Sequence, residues 1–329
     1  MRFIYSKTSD AAFNLASEEY FLKSFKENIF FLYINAPSVI CGKHQNVMGE
    51  IDFDFTKKNN IKVFRRLSGG GTVFHDLGNI NFCFITNEGT GELVNFDKYL
   101  TYITRFLATK GLDASIGKRH ELLLDGKKIS GNASHVFKNR VMHHGTLLFD
   151  SKLNILNNCL RIDPLKYTDK AVKSVRSEVT NIKPYLKEER QTEEFSKDLF
   201  NWLATEFPDS NLYDLAKVDE QKIDEILKEK FNTWDWIYGY SPQYTFEKRI
   251  DIDKNTQLKA KMTIQKGIIC EIEVCSTSKD AQTLASELEA ILINGLHSIT
   301  EIEKKLTLLN LSTHKTLHLT NQKLLELFF

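Results

Sequence analysis

The stretch Arg65-Arg66-Leu67-Ser68-Gly69-Gly70-Gly71-Thr72-Val73-Phe74-His75-Asp76-Leu77-Gly78-Asn79 decides how this chain is read. The run at 61–64 leads into it as a short strand, so the three glycines sit where a strand gives way to a loop. Glycine costs about 0.5–1 kcal/mol relative to alanine inside regular structure, and three in succession point to a need for bare backbone. Bare backbone lets consecutive N–H groups converge on an anion such as a phosphate, and Arg66 or Arg65 supplies a fork of charged donors. The blander alternative is a surface turn with two solvated arginines. The segment matches neither G-x-x-x-x-G-K-[ST] nor G-x-G-x-x-G, which disfavours a P-loop enzyme and a Rossmann dehydrogenase.

Working outward, Asn81, Cys83 and Ile85 alternate with Phe82, Phe84 and Thr86, which predicts a half-buried strand. A capped helix follows from Asn95 through Leu100, Ile103 and Leu107 to Lys110, with Gly111 as its stop. Upstream, Asp10 caps a helix with Phe13, Ala16, Tyr20 and Ser24 on one face, ending near Lys26; 29–35 and 39–41 read as strands. Asp125-Gly126 between two strand-like runs predicts a hairpin. On its returning strand Lys127 and Lys128 point to opposite faces, and whichever faces inward needs an anion beside its ammonium. His143 and His144, on a strand over 141–149, also diverge, and a structural role is expected for each. Cys41 and Cys83 read as small buried hydrophobes.

After Asp163-Pro164 the sequence turns helical and charged, with helices at 192–206 and 218–230 and a Trp-rich segment Trp234-Asp235-Trp236. Ser241-Pro242 is the expected seam. Beyond it come two strands, 246–263 and 266–275, and helices at 279–294, 299–307 and 319–328, a small α+β unit. A length of 329 residues suits two domains, 1–240 and 241–329. With 44 Lys and Arg against 43 Asp and Glu, no global field draws the chain to nucleic acid or an anionic membrane. Five scattered cysteines without a C-x-x-C pair argue against a disulfide framework and a zinc site, and fit a reducing cytoplasm. The start has no secretory pattern, and no apolar run approaches the ~18 residues of a spanning helix. The glycosylation-like tripeptides at Asn132 and Asn310 therefore carry no weight.

The glycine-rich stretch, Asp125-Gly126-Lys127-Lys128-Ile129-Ser130-Gly131-Asn132-Ala133, His143-His144-Gly145-Thr146-Leu147-Leu148 and Ser174-Val175-Arg176-Ser177-Glu178-Val179-Thr180-Asn181-Ile182 together resemble the lipoate–protein ligase family, in the family's order. Phe13-Asn14-Leu15-Ala16-Ser17-Glu18-Glu19 resembles that family's first helix, so the match covers about residues 1–185. The region after 240 resembles its accessory domain more loosely. The resemblance implies an α/β fold of the α+β kind: a mixed-sheet, biotin/lipoate ligase-like catalytic domain with a small C-terminal α+β accessory domain. It implies activation of lipoate by Mg2+ and ATP to lipoyl-AMP, then transfer to a lysine of an apo lipoyl domain. Acceptors of that kind are 2-oxoacid dehydrogenase E2 subunits and the glycine-cleavage H protein.

By the same resemblance Lys128 contacts both lipoyl carbonyl and phosphate, Arg66 binds the nucleotide, and Gly71, Thr72, Val73 and Phe74 hold it through their backbone. Gly70, His75 and Asn79 line the lipoate cavity. Where the family carries Asn-Asp-Leu before the hairpin this chain has His120-Glu121-Leu122, a departure that makes the acidic group one methylene longer and leaves Glu121 a candidate only for the nucleotide or Mg2+ contact, with the metal ligands unassigned. A cysteine-dependent octanoyl or lipoyl transferase of the same fold, using no ATP, is the runner-up, with Cys83 as its thiol. A biotin ligase and a non-catalytic carrier-recognition module stand behind it. A cytoplasmic monomer is expected.

Overall fold

The computed structural model describes residues 1–88, 93–160, 166–309 and 319–329, apart from the Asp280 side chain; Asp163-Pro164 and Asn310 lie outside the described residues. The chain begins with β1 (Arg2–Tyr5), α1 (Ala11–Ser24), β2 (Ile29–Ile34), β3 (Ser38–Cys41), α2 (Phe53–Lys58), β4 (Lys62–Arg65), β5 (Val73–His75) and β6 (Asn79–Asn87). It continues with α3 (Phe96–Thr109), β7 (Ala114–Ile116), β8 (Leu122–Leu124), β9 (Lys127–Ser130), β10 (Asn132–Phe137), β11 (Arg140–Leu148), α4 (Leu153–Cys159) and β12 (Tyr167–Asp169). Then follow α5 (Thr192–Glu206), β13 (Asn211–Leu212), α6 (Lys217–Ile226), β14 (Tyr244–Asp251), β15 (Gln257–Gln265) and β16 (Ile268–Ser276). The last helices are α7 (Gln282–Leu292), α8 (Ile299–Leu306) and α9 (Asn321–Leu325).

As far as they are described, these elements form two units: Met1–Lys43, Asp54–Leu160 and Lys173–Thr233 in one, His44–Phe53, Arg161–Val172 and Trp234–Phe329 in the other. The first unit is built on a mixed sheet in the order β10-β11-β6-β2-β1-β13, with β1 parallel to β2 and β13 and the other pairs antiparallel. Two three-stranded sheets, β4-β3-β5 and β7-β8-β9, carry the glycine loop and the hairpin. Phe30, Phe82 and Phe84 of the large sheet pack with Tyr99, Ile103 and Phe106 of α3 and Phe195, Leu199 and Leu203 of α5. Each such fully buried side chain contributes about 1.5–3 kcal/mol.

The opposite face of that sheet is covered too, which corrects the expectation of a half-buried strand: β6 is buried at eight of its nine positions. Its Cys83 reaches Glu18 of α1. The helix α1 likewise departs from a one-sided apolar stripe. Phe13 is only partly covered and Ser24 is exposed, whereas Asn14, Ser17, Glu18 and Glu19 are buried. Its N-cap is as expected, with Asp10 accepting from the Ala12 and Phe13 N–H groups at 2.8 and 3.1 Å. Its far end is closed from β11: Arg140 donates to the carbonyls of Phe21, Leu22, Lys26 and Glu27 and to Asn87 Oδ1.

In the second unit the four-stranded antiparallel sheet β12-β14-β15-β16 packs against α7, α8 and α9. The span 246–263 expected as one strand is two, β14 and most of β15. Asp253 breaks it, its carboxylate taking the N–H groups of Asn255 and Thr256 at 2.7 and 2.8 Å in an Asx-type turn.

His297 is buried in this unit, with the Tyr244 hydroxyl on Nδ1 at 2.7 Å, Nε2 donating to the Phe328 carbonyl at 2.8 Å, and Phe329 stacked on its ring. Burial pushes it down to about 4, so between pH 6.5 and 4 the unfolded chain takes up a proton that the folded one refuses. Stability is fully present above pH 6.5 and falls as pH drops through that window, by up to about 1.4 kcal/mol per pH unit. Thermal melts from pH 7 to 5 should show a falling midpoint, with a shallower fall in His297→Gln; equal slopes would refute the assignment.

Candidate active site

The glycine loop is held from inside by Arg66. This guanidinium is 6% exposed and donates through Nε to Ser68 Oγ at 3.0 Å, through Nη1 to the Ile40 carbonyl at 3.1 Å, and through Nη2 to the carbonyls of Gly69 and Gly71. Burial brings it down to about 10, still charged at neutral pH. In a trans peptide N–H points opposite to C=O, so pulling the Gly69 and Gly71 carbonyls onto Arg66 turns the N–H groups of Gly70 and Thr72 away from it. The Thr72 N–H meets Ser174 Oγ at 2.9 Å, and among the described residues that of Gly70 meets no protein acceptor. Gly70 has φ +86°, a conformation that favours glycine, and a Cβ there would stand 3.1 Å from Arg66 Nη2. A Cβ on Gly71 would stand 3.1 Å from Ser174 Oγ. Arg65 is fully buried, with Nη1 on the Gly42 and Lys43 carbonyls.

The hairpin settles the parity of the two lysines. Asp125 and Gly126 take φ of 51° and 72°, as a two-residue turn of type I′ requires. Lys127 then points to solvent and pairs with Glu178 at 2.9 Å, and Lys128 turns inward over Gly131, where a Cβ would lie 3.2 Å from its Nζ. Residues 178–180 clamp its backbone: the Lys128 N–H donates to the Glu178 carbonyl at 2.9 Å, and the Thr180 N–H to the Lys128 carbonyl at 3.0 Å. Lys128 is half-buried and makes no ion pair among the described residues. Burial, then Arg119 and Arg66, push its pKa down against the pull of Glu121.

Glu121 is itself tethered, with Arg119 N–H on Oε2 at 2.7 Å and Arg119 Nε 3.7 Å from Oε1. Burial raises its pKa, and hydrogen bonds from its own and the Arg119 backbone, with the charges of Arg119 and Lys128, bring it below the ordinary value. No group of three His, Cys, Asp or Glu side chains that could hold a metal occurs among the described residues. One carboxylate beside an inward cation is compatible with a Mg2+ carried on a polyphosphate, which keeps waters and takes one or two protein carboxylates.

His75 and Asn79 each bury an unpaired polar atom. Asn35 Nδ2 donates to His75 Nδ1 at 3.0 Å, leaving the His75 proton on Nε2, which has no partner. Burial, then Arg66 and His144, hold His75 at about 3, so it stays neutral. Asn79 donates to Asn81 Oδ1 at 2.9 Å, and its own Oδ1 is unpartnered. A donor and an acceptor thus stand unsatisfied at two residues for which the family resemblance implies one cavity. Val73 and Phe74 lie on β5 against β3, and the Phe74 ring is buried in the core, so the backbone is what Phe74 offers a ligand.

The two histidines of β11 do diverge. His143 receives the Asn95 N–H and packs on Tyr99, whereas His144 faces α1, with Nδ1 2.9 and 3.0 Å from the two Glu18 oxygens and Nε2 2.6 Å from Ser68 Oγ. Tyr33 donates to Glu18 Oε1 at 3.0 Å. Sequence reasoning missed this buried group, since Glu18 sits where helical periodicity allots a solvent face. Burial and Glu18 drive the Cys83 thiol well above its ordinary value, the reverse of what a nucleophilic thiolate needs.

Comparison with known proteins follows from this geometry. The family model for the lipoyl protein ligase A/B catalytic domain matches residues 10–204. The chain is 36% identical to lipoate–protein ligase 1 of Staphylococcus aureus over 93% of this chain and 94% of that one. It is 35% identical to the lipoate–protein ligase LplJ of Bacillus subtilis over 98% and 97%. A T. acidophilum protein solved with bound lipoic acid superposes with a TM-score of 0.63 at 25% identity, covering 72% of this chain and 98% of that one.

Because Lys128 is an inward cation without a carboxylate partner, its charge costs folding free energy. Lys128→Met should unfold in urea at the parent's midpoint or above it. A loss of more than about 1 kcal/mol would mean that the ammonium holds the fold together.

Proposed function

We infer the activity from family membership: the chain belongs to the lipoate–protein ligase family. It is an ATP-dependent ligase that activates lipoate to lipoyl-AMP and transfers the lipoyl group to an acceptor protein. The observation that carries this reading is Lys128, an inward ammonium without an ion-pair partner among the described residues, within electrostatic reach of Arg66 and Glu121.

The first step brings two anions together. The lipoate carboxylate attacks the α-phosphorus of ATP, a P–O bond forms, and pyrophosphate leaves with the electron pair. A fixed cation between carboxylate and phosphate offsets their repulsion and stabilises the charge that builds up on the phosphoryl oxygens. We assign that task to Lys128. In the second step the ε-amine of an acceptor lysine attacks the mixed anhydride's carbonyl, AMP leaves, and the amine loses its proton. Arg66 shapes the glycine loop, and Gly71, Thr72, Val73 and Phe74 present backbone to the nucleotide. Gly70, His75, Asn79 and Lys128 are assigned to lipoate. Mg2+ bound to the phosphates would supply further charge neutralisation, with Glu121 the carboxylate to hold it.

The acceptors we propose are apo lipoyl domains, among them 2-oxoacid dehydrogenase E2 subunits and the glycine-cleavage H protein. Residues 1–240 would perform the catalysis, with 241–329 as the accessory domain. A cytoplasmic monomer is the arrangement proposed; among the described residues no helix is long and apolar enough to cross a membrane. The ATP-independent transferase is disfavoured by the buried, carboxylate-flanked Cys83.

Intact-mass spectra of an apo lipoyl domain incubated with the protein and lipoate should show an acyl-sized gain only with Mg-ATP. Gain without ATP from an acylated carrier would move the mechanism to thiol chemistry. Lys128→Met should fold and form no lipoyl-AMP, a loss of at least about 100-fold in rate; parent-like adenylation would remove Lys128 from the mechanism. Gly71→Val should raise the KM for ATP by about tenfold, because its side chain would press on Ser174, whose Oγ holds the Thr72 N–H, and shift the loop backbone; an unchanged KM would assign the loop to another task.

A further inference from the structure

We propose that Glu18 is a positioning residue for the nucleotide loop, acting through His144 and Ser68 on Arg66. The inference rests on the reading of the glycine loop as the ATP cradle and adds to it a control that lies on another element, α1. Glu18, His144, Ser68 and Arg66 are 1%, 8%, 0% and 6% exposed, so their polar atoms depend on one another rather than on water.

The direction of every bond in the row is fixed. A carboxylate only accepts, so the His144 proton sits on Nδ1 toward Glu18. His144 Nε2 is then an acceptor, and the Ser68 hydroxyl must donate to it at 2.6 Å. With its proton committed, Ser68 Oγ is left as an acceptor for Arg66 Nε–H at 3.0 Å. That bond, with Nη1 on the Ile40 carbonyl, sets the guanidinium plane, and its Nη2 in turn holds the Gly69 and Gly71 carbonyls. The polarity imposed by one carboxylate thus runs through three side chains to the loop whose N–H groups are turned outward. Tyr33 donates to Glu18 from the other side and Cys83 lies against the same carboxylate, which keeps it pointing at the imidazole.

Glu18→Gln keeps the shape and, with Tyr33 still donating to the amide oxygen, replaces the second of the two oxygens facing His144 Nδ1 by an N–H2 donor. An amide presenting its N–H2 to His144 drives the imidazole proton to Nε2, where it meets Ser68 Oγ. The serine proton then has no acceptor in the row, and the Arg66 contact is set against it. The expected results are a KM for ATP raised about tenfold, kcat at saturating ATP within twofold, and transfer of the His144 proton from Nδ1 to Nε2. The last is read by long-range 15N–1H correlation of [15N]histidine-labelled protein, assigned with His144→Gln. Ser68→Ala, which leaves Glu18 and Tyr33 in place, should raise the KM for ATP similarly and carries the test if Glu18→Gln does not fold. The double variant should be no worse than the worse single one.

An unchanged KM for ATP in both variants, effects that multiply in the double variant, or a KM change with the His144 proton still on Nδ1 would overturn the proposal. A parent protein that binds no ATP would instead overturn the reading of the loop itself.

Discussion

A guanidinium taken out of water needs acceptors for its N–H donors, or its charge is not tolerated. Arg66 meets four of its five donors with three main-chain carbonyls, from β3 and from the glycine loop, and one hydroxyl. The loop is consequently neither a free tether nor a conventional turn. Its carbonyls are drawn inward by the arginine, and planar trans peptides leave the N–H groups of Gly70 and Thr72 on the other side. The anion cradle proposed for this loop rests on that arrangement, with the Thr72 N–H held by Ser174 Oγ and the Gly70 N–H turned outward, and glycine at position 70 follows from its φ of +86°.

The same logic separates the two neighbouring lysines. The turn at Asp125-Gly126 fixes the parity of β9, so solvent and Glu178 take Lys127 and the interior takes Lys128. The backbone of Lys128 is hydrogen-bonded by residues 178–180 on one side, which leaves its side chain as the part with latitude. The role proposed for Lys128 needs an ammonium with its root fixed and its head within reach of two ligands; the hairpin supplies the first and Gly131, lacking a side chain, makes room for the second.

Features that depend on neighbours in sequence were legible before any coordinates: the Asp10 and Asn95 caps, the Gly111 stop, the hairpin, and the glycine triplet after a strand. What escaped depended on distant partners. Glu18 and His144 are 126 residues apart, and helical periodicity cannot tell a carboxylate facing water from one facing an imidazole across a sheet. The strand β10 has little strand propensity in Asn132-Ala133-Ser134-His135 and exists because β11 offers it an edge, with Asn132 opposite Gly145. The burial of β6 on both faces needed knowledge that α1 and α3 cover opposite sides of one sheet. The division of β14 from β15 was readable in Asp253 and Asn255 and was overlooked because a long alternating pattern runs across them.

The closure of α1 by Arg140 bears on how the chain is made. The carbonyls of Phe21 and Leu22 in its last turn, and those of Lys26 and Glu27 just beyond it, are met by a residue 113–119 positions further along. At a synthesis rate of roughly 5–20 residues per second, a nascent chain lacks the Arg140 contacts for roughly 6–24 s before that residue leaves the ribosome. During that interval the helix and the strands after it have no lasting seam, and β2 waits likewise for β6 to pair. Assembly of the first unit is thus governed by the arrival of its middle rather than by its beginning, and a chain arrested before residue 140 would hold β1, β2 and β6 with the far edge of β6 still lacking β11.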